Sequence, residues 1–334
     1  MNHEKVDFNN STILVTGGAG FIGSNIVFHF QKKFPNSKIV VFDCFRNEEI
    51  LSNGNPKSFG HYKNLNGFHG DVICGNLNNL ADIDKLNDYS FDYIFHQAAI
   101  SDTRAYDQEL VIRTNVNSFY SILKLAKINK SVLIYASSAA TYGSAKSPQS
   151  LGNENPDNPY GYSKFTMDKI AQNFAKNNEG IIICGLRYFN VYGNREFYKG
   201  KTASMIIQLG HQILSGKSPR LFEGSEKILR DFIFIDDVIQ ANIKACERRI
   251  SGIFNVGTGI ARSFQDIADI LQNNLDTKLK TEYFPNPHTG YQTHTEADIS
   301  HTKKNLGFKP KYTLESGIKK YIPEIRNHYS ENFE

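Results

Sequence analysis

Apolar residues along this chain fall into short dense runs, separated by stretches with helical spacing. KIVVFD (38–43), DYIFHQAA (92–99), SVLIYAS (131–137) and IIICGLR (181–187) are rich in β-branched and aromatic residues and short enough to be buried strands. Ile13, Leu14 and Val15 form another such run. Residues 24–34, 115–126 and 164–175 read as helices between them; in the first, Ile26, Val27 and Phe30 recur on one helical face. Strands alternating with helices predict an α/β fold with a doubly wound parallel sheet. Residues 46–70, rich in Asn, Gly and Ser, read as a long surface excursion. After Tyr188 the alternation breaks. A smaller C-terminal lobe is expected over 188–230 and 258–334, with 1–187 and a returning segment at about 231–257 forming the first domain. Pro285, Pro287 and Pro310 lead us to expect a loop-rich tail.

The link from the first strand to its helix reads ILVTGGAGFIG (13–23). Strand, glycine turn and helix form the context of a dinucleotide fingerprint, which makes the fold Rossmann-type. Glycines fall at Gly17, Gly18, Gly20 and Gly23; Gly18 and Gly20 let the backbone turn and approach a pyrophosphate, and Gly23 lets the helix lie against the strand. The N–H groups and positive dipole at the helix start then face the phosphates. The first domain is thus expected to bind a dinucleotide and the C-terminal lobe to bind substrate.

Composition narrows the classes further. The 334 residues are 40% hydrophobic and 22% charged, as in ordinary globular proteins. The net charge of +4 is small and the basic residues are scattered, so no nucleic-acid partner is expected. No apolar run approaches the ~20 residues of a membrane helix, so no membrane partner is expected either. The opening MNHEKVDFNN has no apolar signal core, and Cys44, Cys74, Cys184 and Cys246 show no CxxC. A cytoplasmic protein with buried reduced thiols is the expectation. There is no HxxxH or HExxH, and no metal site is expected.

Most candidate chemistry lies just past strand ends, where ligands bind in such sheets. Asp43 ends the second strand, 20 residues beyond Gly23, where a carboxylate accepts from the adenosine ribose. Arg46 either meets a 2′-phosphate or is solvated. Asp43 therefore favours NAD and Arg46 favours NADP. Asn76, with Leu77, either accepts from the adenine amine or serves a turn. Ser138 offers a hydroxyl at the end of YASS. Tyr160 and Lys164, in YGYSK, share a helix face at a spacing of four. A free phenol, with a pKa of about 10, is a poor base. A nearby ammonium favours its phenolate, so Tyr160 is expected to take a hydroxyl proton while hydride leaves the same carbon, with Ser138 holding that oxygen.

Together these motifs resemble the extended short-chain dehydrogenase/reductase superfamily, from about Thr12 to Tyr321. YASSAATYG, YGYSKF, RYFNVYGNRE, LFEGSE, RDFIFIDDV and GIFNVGTG resemble, more narrowly, the ADP-glyceromanno-heptose 6-epimerases. That resemblance implies an enzyme inverting carbon 6 of an ADP-linked heptose for lipopolysaccharide inner core, through a transient ketone and a recycled NADP, with NAD as the alternative. It implies cofactor contacts at Phe21, Ile22, Gln97, Ala98, Ala99 and Asn115, beside the glycines, Asp43, Arg46, Asn76, Leu77, Tyr160 and Lys164. Substrate contacts are implied at Ser101, Asn190, Lys199, Ser204, Phe222, Glu223, Arg230 and Tyr291. Lys199, after NVYG, matches the second acid/base, with Lys201 as its rival. A homo-oligomer, in the family a pentamer, is also implied.

The chain departs from the family at Asn194 in place of proline, at Asn76 in place of aspartate, and at Gly290 in place of arginine. A dehydratase would need a carboxylate pair where this chain has Ala139, Ala140 and Thr141. The alternatives are a net NAD(P)-dependent dehydrogenase or reductase, an epimerase of another nucleotide-linked heptose or hexose, and a nucleotide-sensing protein on the same fold.

Overall fold

The computed structural model of the chain describes residues 6–286 and 292–331. Its strands are β1 (Thr12–Thr16), β2 (Lys38–Asp43), β3 (Asp71–Cys74), β4 (Tyr93–His96), β5 (Val132–Ser138), β6 (Ile182–Tyr188), β7 (Asn190–Tyr192), β8 (Arg220–Phe222), β9 (Leu229–Phe234), β10 (Gly252–Val256), β11 (Ala261–Ser263) and β12 (Glu282–Phe284). Seven form one parallel sheet in the order β3-β2-β1-β4-β5-β6-β10. This is the Rossmann-type α/β fold that the pattern implies.

The strands are apolar throughout because both faces of the sheet are covered. Ile13 and Val15 pack on one side with Ile26, Val27, Phe30 and Val238, while Leu14 packs on the other with Phe119, Ile122 and Met167. Alternation along β1 thus feeds two separate cores. Each such aliphatic or aromatic side chain contributes about 1.5–3 kcal/mol on burial. Thr16 lies beside Phe42 of β2 and His96 of β4, so the strand order reverses around β1. A crevice opens at such a reversal, past the strand ends.

Beyond β6 the chain alternates between regions. β7 and β9 pair in parallel and β11 joins β9 antiparallel, while β8 and β12 form a two-stranded sheet. The helix Ile235–Arg248 and β10 return to the large sheet.

Three local expectations change. The helix expected over 115–126 is Phe119–Asn129, preceded by a π-helical segment at Arg113–Asn117. The tail is helical at Phe264–Leu275, Ser300–Leu306 and Leu314–Tyr329, because Ile267, Leu271, Ile318, Tyr321 and Ile325 form buried faces. Pro285 and Pro310 lie outside these helices, and Pro287 lies outside the described residues. Cys184 and Cys246 are buried as expected, but Cys44 and Cys74 are exposed. Cys44 lies just past the end of β2, and Cys74 is on the edge strand β3, whose alternate residues face solvent. Among the described residues, no helix is long and apolar enough to cross a membrane.

Candidate active site

A cavity of about 720 Å³ opens at the strand-order reversal, between the ends of the large sheet and segments that follow β6. Gly17, Gly20, Phe21, Ile22 and Gly23 line one part of it. Gly17 has φ +69°, and a Cβ there would lie 2.7 Å from the Ala98 nitrogen. A Cβ on Gly23 would lie 2.1 Å from the Gly17 carbonyl oxygen. The helix Phe21–Lys33 begins at Gly20 with no side-chain cap and no acid in its first turn. Its free N–H groups therefore suit an anion. This cradle fits a dinucleotide pyrophosphate, with Gln97, Ala98 and Ala99 on the adjoining wall.

Asp43 lines the cavity, but its carboxylate is already engaged. Oδ2 accepts from the Ala19 N–H at 2.9 Å and Oδ1 from the Phe45 N–H at 2.8 Å. Burial pushes its pKa up, and these two bonds pull it back. Asn76 behaves partly as a turn residue, its Oδ1 accepting from the Asn78 N–H at 2.9 Å; it and Leu77 also line the cavity. Arg46 does not line it. Its guanidinium donates to the Tyr198 carbonyl, beside Lys199, and so ties the excursion to the Lys199 turn. Asn115 is also outside the cavity. It is buried behind the wall, exchanging bonds with the Ile100 N–H and carbonyl at 2.9 and 3.0 Å and donating to the Ser163 hydroxyl at 2.9 Å. The π-helical turn carries it there, and such turns frequently mark functional regions.

Ser138, Tyr160 and Lys164 share one part of the cavity. Asn158 caps the helix Pro159–Lys176 by accepting from the Gly161 N–H at 2.8 Å. Gly161 is required at the next contact, since a Cβ there would lie 2.3 Å from the Ala140 carbonyl. Lys164 is buried and donates to the Ala136 carbonyl at 2.7 Å; its ammonium lies 5.9 Å from the Tyr160 ring centre. Burial pulls the Lys164 pKa down to about 8, against an upward pull from Asp168. Burial pushes the Tyr160 phenol up, and Ser138 pulls it partly back. The expected lowering of the phenol by Lys164 is therefore not what this geometry produces, because desolvation dominates.

Lys199 lies on the short 3₁₀ segment Phe197–Thr202 and reaches the cavity half-buried, its ammonium 5.7 Å from the Phe21 ring centre. Burial lowers its pKa, while the Glu196 and Asp102 carboxylates pull it up. Lys201 also lines the cavity but is exposed. Ser101, Asn190, Ser204 and Arg230 line it too. Arg230 donates to the carbonyls of Leu229, at 2.8 Å, and Gln292. Phe222 and Glu223 are not brought to the cavity: Phe222 packs edge-on against Phe284 at 4.9 Å, and Glu223 is exposed. Tyr291 lies outside the described residues. Sequence reasoning missed Asp102, Gln208 and Phe264, which line the cavity. Asp102, next to Ser101, carried a usable signal as a carboxylate just past a strand; Gln208 and Phe264 carried none. Among the described residues, no cluster of His, Cys, Asp or Glu could hold a metal.

A glycine cradle and a Tyr–Lys pair in one cavity of a doubly wound sheet define a nicotinamide-dinucleotide enzyme. The chain belongs to the NAD dependent epimerase/dehydratase family, whose model matches residues 13–257. It is an isomerase, an NAD(P)-dependent epimerase. It is similar to the crystal structure of Helicobacter pylori ADP-L-glycero-D-manno-heptose-6-epimerase, with 47% identity, 98% of this chain and 99% of that one covered, and a TM-score of 0.89. It is also similar to the UDP-N-acetylglucosamine 4-epimerase of Methanobrevibacter ruminantium M1, with 27% identity, 96% and 99% covered, and a TM-score of 0.84. The Bacillus cereus UDP-glucuronic acid 4-epimerase, solved with UDP-glucuronic acid and NAD, shares 27% identity over 95% of this chain and 99% of that one, with a TM-score of 0.80.

Proposed function

We propose that the protein inverts carbon 6 of the heptose in ADP-D-glycero-β-D-manno-heptose, giving the L-glycero epimer for lipopolysaccharide inner core. The observation that carries this reading is the placing of Lys199 in the same cavity as Ser138, Tyr160 and Lys164, from a separate loop. The 47% identity to the H. pylori heptose epimerase supports the choice of sugar. A bound nicotinamide dinucleotide, held by Gly17 to Gly23, supplies the hydride acceptor. Ser138 positions the C6 oxygen and Tyr160 takes the hydroxyl proton from one epimer. Lys164, beside Tyr160, would hold the nicotinamide ribose. Lys199 exchanges the proton when the other face of the ketone is presented, which inversion requires. Ser101, Asn190, Ser204 and Arg230 bind the substrate.

NADP is the resident nucleotide in this reading. Lys57 and Ser58 line the cavity beside Asp43, and the Asp43 carboxylate already carries two backbone bonds. The division into a dinucleotide domain (1–187 with 231–257) and a substrate lobe belongs to the same proposal. A cytoplasmic homo-oligomer rests on the family resemblance alone.

The test is to incubate purified protein with ADP-D-glycero-D-manno-heptose and resolve the two C6 epimers. Conversion without net NAD(P)H change is expected. Net reduction of the nucleotide would indicate a dehydrogenase, and no reaction would remove this substrate. Chromatography of nucleotide released on denaturation should give NADP; NAD alone would reject that assignment.

A further inference from the structure

Lys199 stands among carboxylates from two separate loops. Glu196, on its own turn, is fully buried and accepts from the Ser204 N–H at 2.8 Å, the Ser204 hydroxyl at 2.7 Å and the Gly193 N–H at 3.2 Å. Asp102 comes from the loop after β4 and lines the same cavity while only 6% exposed. Its Oδ2 accepts from Asn53 at 2.8 Å and Asn55 at 2.6 Å, and its Oδ1 from the Arg104 N–H at 2.9 Å. A carboxylate this buried is expensive unless its hydrogen bonds are filled. The excursion supplies those bonds. The Ile50–Pro56 bridge and the Leu51 N–H to Asn55 carbonyl bond at 2.7 Å fold it back so that two asparagine amides meet Asp102.

We propose that Asp102, seated by Asn53 and Asn55 on the wall of the cavity that Lys199 also lines, is a positioning residue for Lys199: its fixed negative charge favours the ammonium form and so sets how readily that group gives up its proton. The inference rests on the two-base epimerase reading. Every charge near Lys199 enters the sign. Glu196 and Asp102 favour its charged form. Burial opposes it. The cations on the surrounding elements are Lys201 on the same turn, Arg46, whose guanidinium donates to the Tyr198 carbonyl, and Arg104, 3.6 Å from Asp102. The Phe21 ring face adds a weak attraction. Inversion needs both states of Lys199. In the Lys199-dependent oxidation, the C6–H bond breaks with its electron pair delivered as hydride to the oxidised nicotinamide. The C6 hydroxyl proton passes to neutral Lys199 Nζ, and the C=O bond forms. In the reverse direction charged Lys199 returns that proton. Losing Asp102 disfavours the charged form, so the neutral base becomes available at lower pH.

The test uses the holoenzyme and each pure C6 epimer in single turnover, following reduced-nicotinamide absorbance against pH. For the epimer whose oxidation Lys199→Met abolishes, Asp102→Asn should move the acid limb down by roughly one pH unit, the lower end of what one nearby opposite charge does. The profile of the other epimer, which uses Tyr160, should not move. Asp102→Ser removes the same charge with a smaller polar side chain and should give a shift of the same sign, which keeps the idea testable if Asp102→Asn does not fold. A merely structural Asp102 would lower both amplitudes and move neither limb, and that result overturns the proposal, as do equal shifts for both epimers. A wild-type enzyme that oxidises neither epimer overturns the epimerase reading and this proposal with it. Normal wild-type oxidation with an unmoved limb in both variants overturns only this one.

Discussion

Asp168 and Arg187 meet as an almost wholly buried ion pair, Asp168 Oδ2 accepting from Arg187 Nε at 2.9 Å and lying 2.9 Å from Nη2. Asp168 also accepts from the hydroxyls of Tyr135 at 2.8 Å and Ser137 at 3.0 Å, and Arg187 pairs with Glu154. The pair lies one helical turn beyond Lys164 and is bonded to the strand that ends at Ser138. A buried pair adds little over an apolar isostere, but removing one partner strands the other charge. Asp168→Ala should therefore lose about 3–5 kcal/mol of stability. Urea unfolding checks this; a loss under about 1 kcal/mol would show that Arg187 finds other compensation.

Lys199→Met should block epimerisation in both directions while fold and bound nucleotide survive. One C6 epimer should still be oxidised through Tyr160 and the other should not. Tyr160→Phe should reverse that pattern and cut turnover by about a hundredfold or more. Lys201→Met, at an exposed lysine, should change little. Single-turnover absorbance on each epimer separates these outcomes, and loss of activity with Lys201→Met alone would transfer the role to Lys201.

Gly23→Ala places a Cβ 2.1 Å from the Gly17 carbonyl oxygen, so the turn must shift. Overpacking of about 1–3 kcal/mol at the cradle should weaken nucleotide binding roughly tenfold or more. Titration of the apoprotein measures it; unchanged affinity would mean that the cradle is not the pyrophosphate site.

His96 should make the protein sensitive to acid. It is fully buried, with Nδ1 2.8 Å from the Thr16 hydroxyl and Nε2 without a partner. Burial, then the Lys164 charge, lowers its pKa from 6.5 to about 3. Between those values the unfolded chain binds a proton that the folded chain refuses. Stability should thus fall on acidification below about pH 6.5, by about 1.4 kcal/mol per pH unit. In His96→Leu the urea midpoint should depend less on pH between pH 7 and pH 5. Parallel curves for the two proteins would rule the effect out.

The alternation of apolar runs and helical faces already implied the parallel sheet, and the glycines of 17–23 the cradle. Tyr160 and Lys164 were legible together because a spacing of four on a helix settles their relation locally. So was Ser138, at the end of a β-branched strand. These features depend on backbone geometry within a few residues, which sequence pattern reports directly. Tertiary structure alone decided what Arg46 and Asn115 touch. It turned Arg46 to a carbonyl 152 residues away and placed Asn115 behind the cavity wall. It also kept Phe222 with Phe284, left Cys44 and Cys74 exposed, and brought Asp102 into the cavity that Lys199 lines, from a loop 97 positions earlier in the chain. No local spacing encodes such meetings. They follow from which strands pair and which loops the sheet then brings to one edge, and that is settled by burial summed over the whole chain.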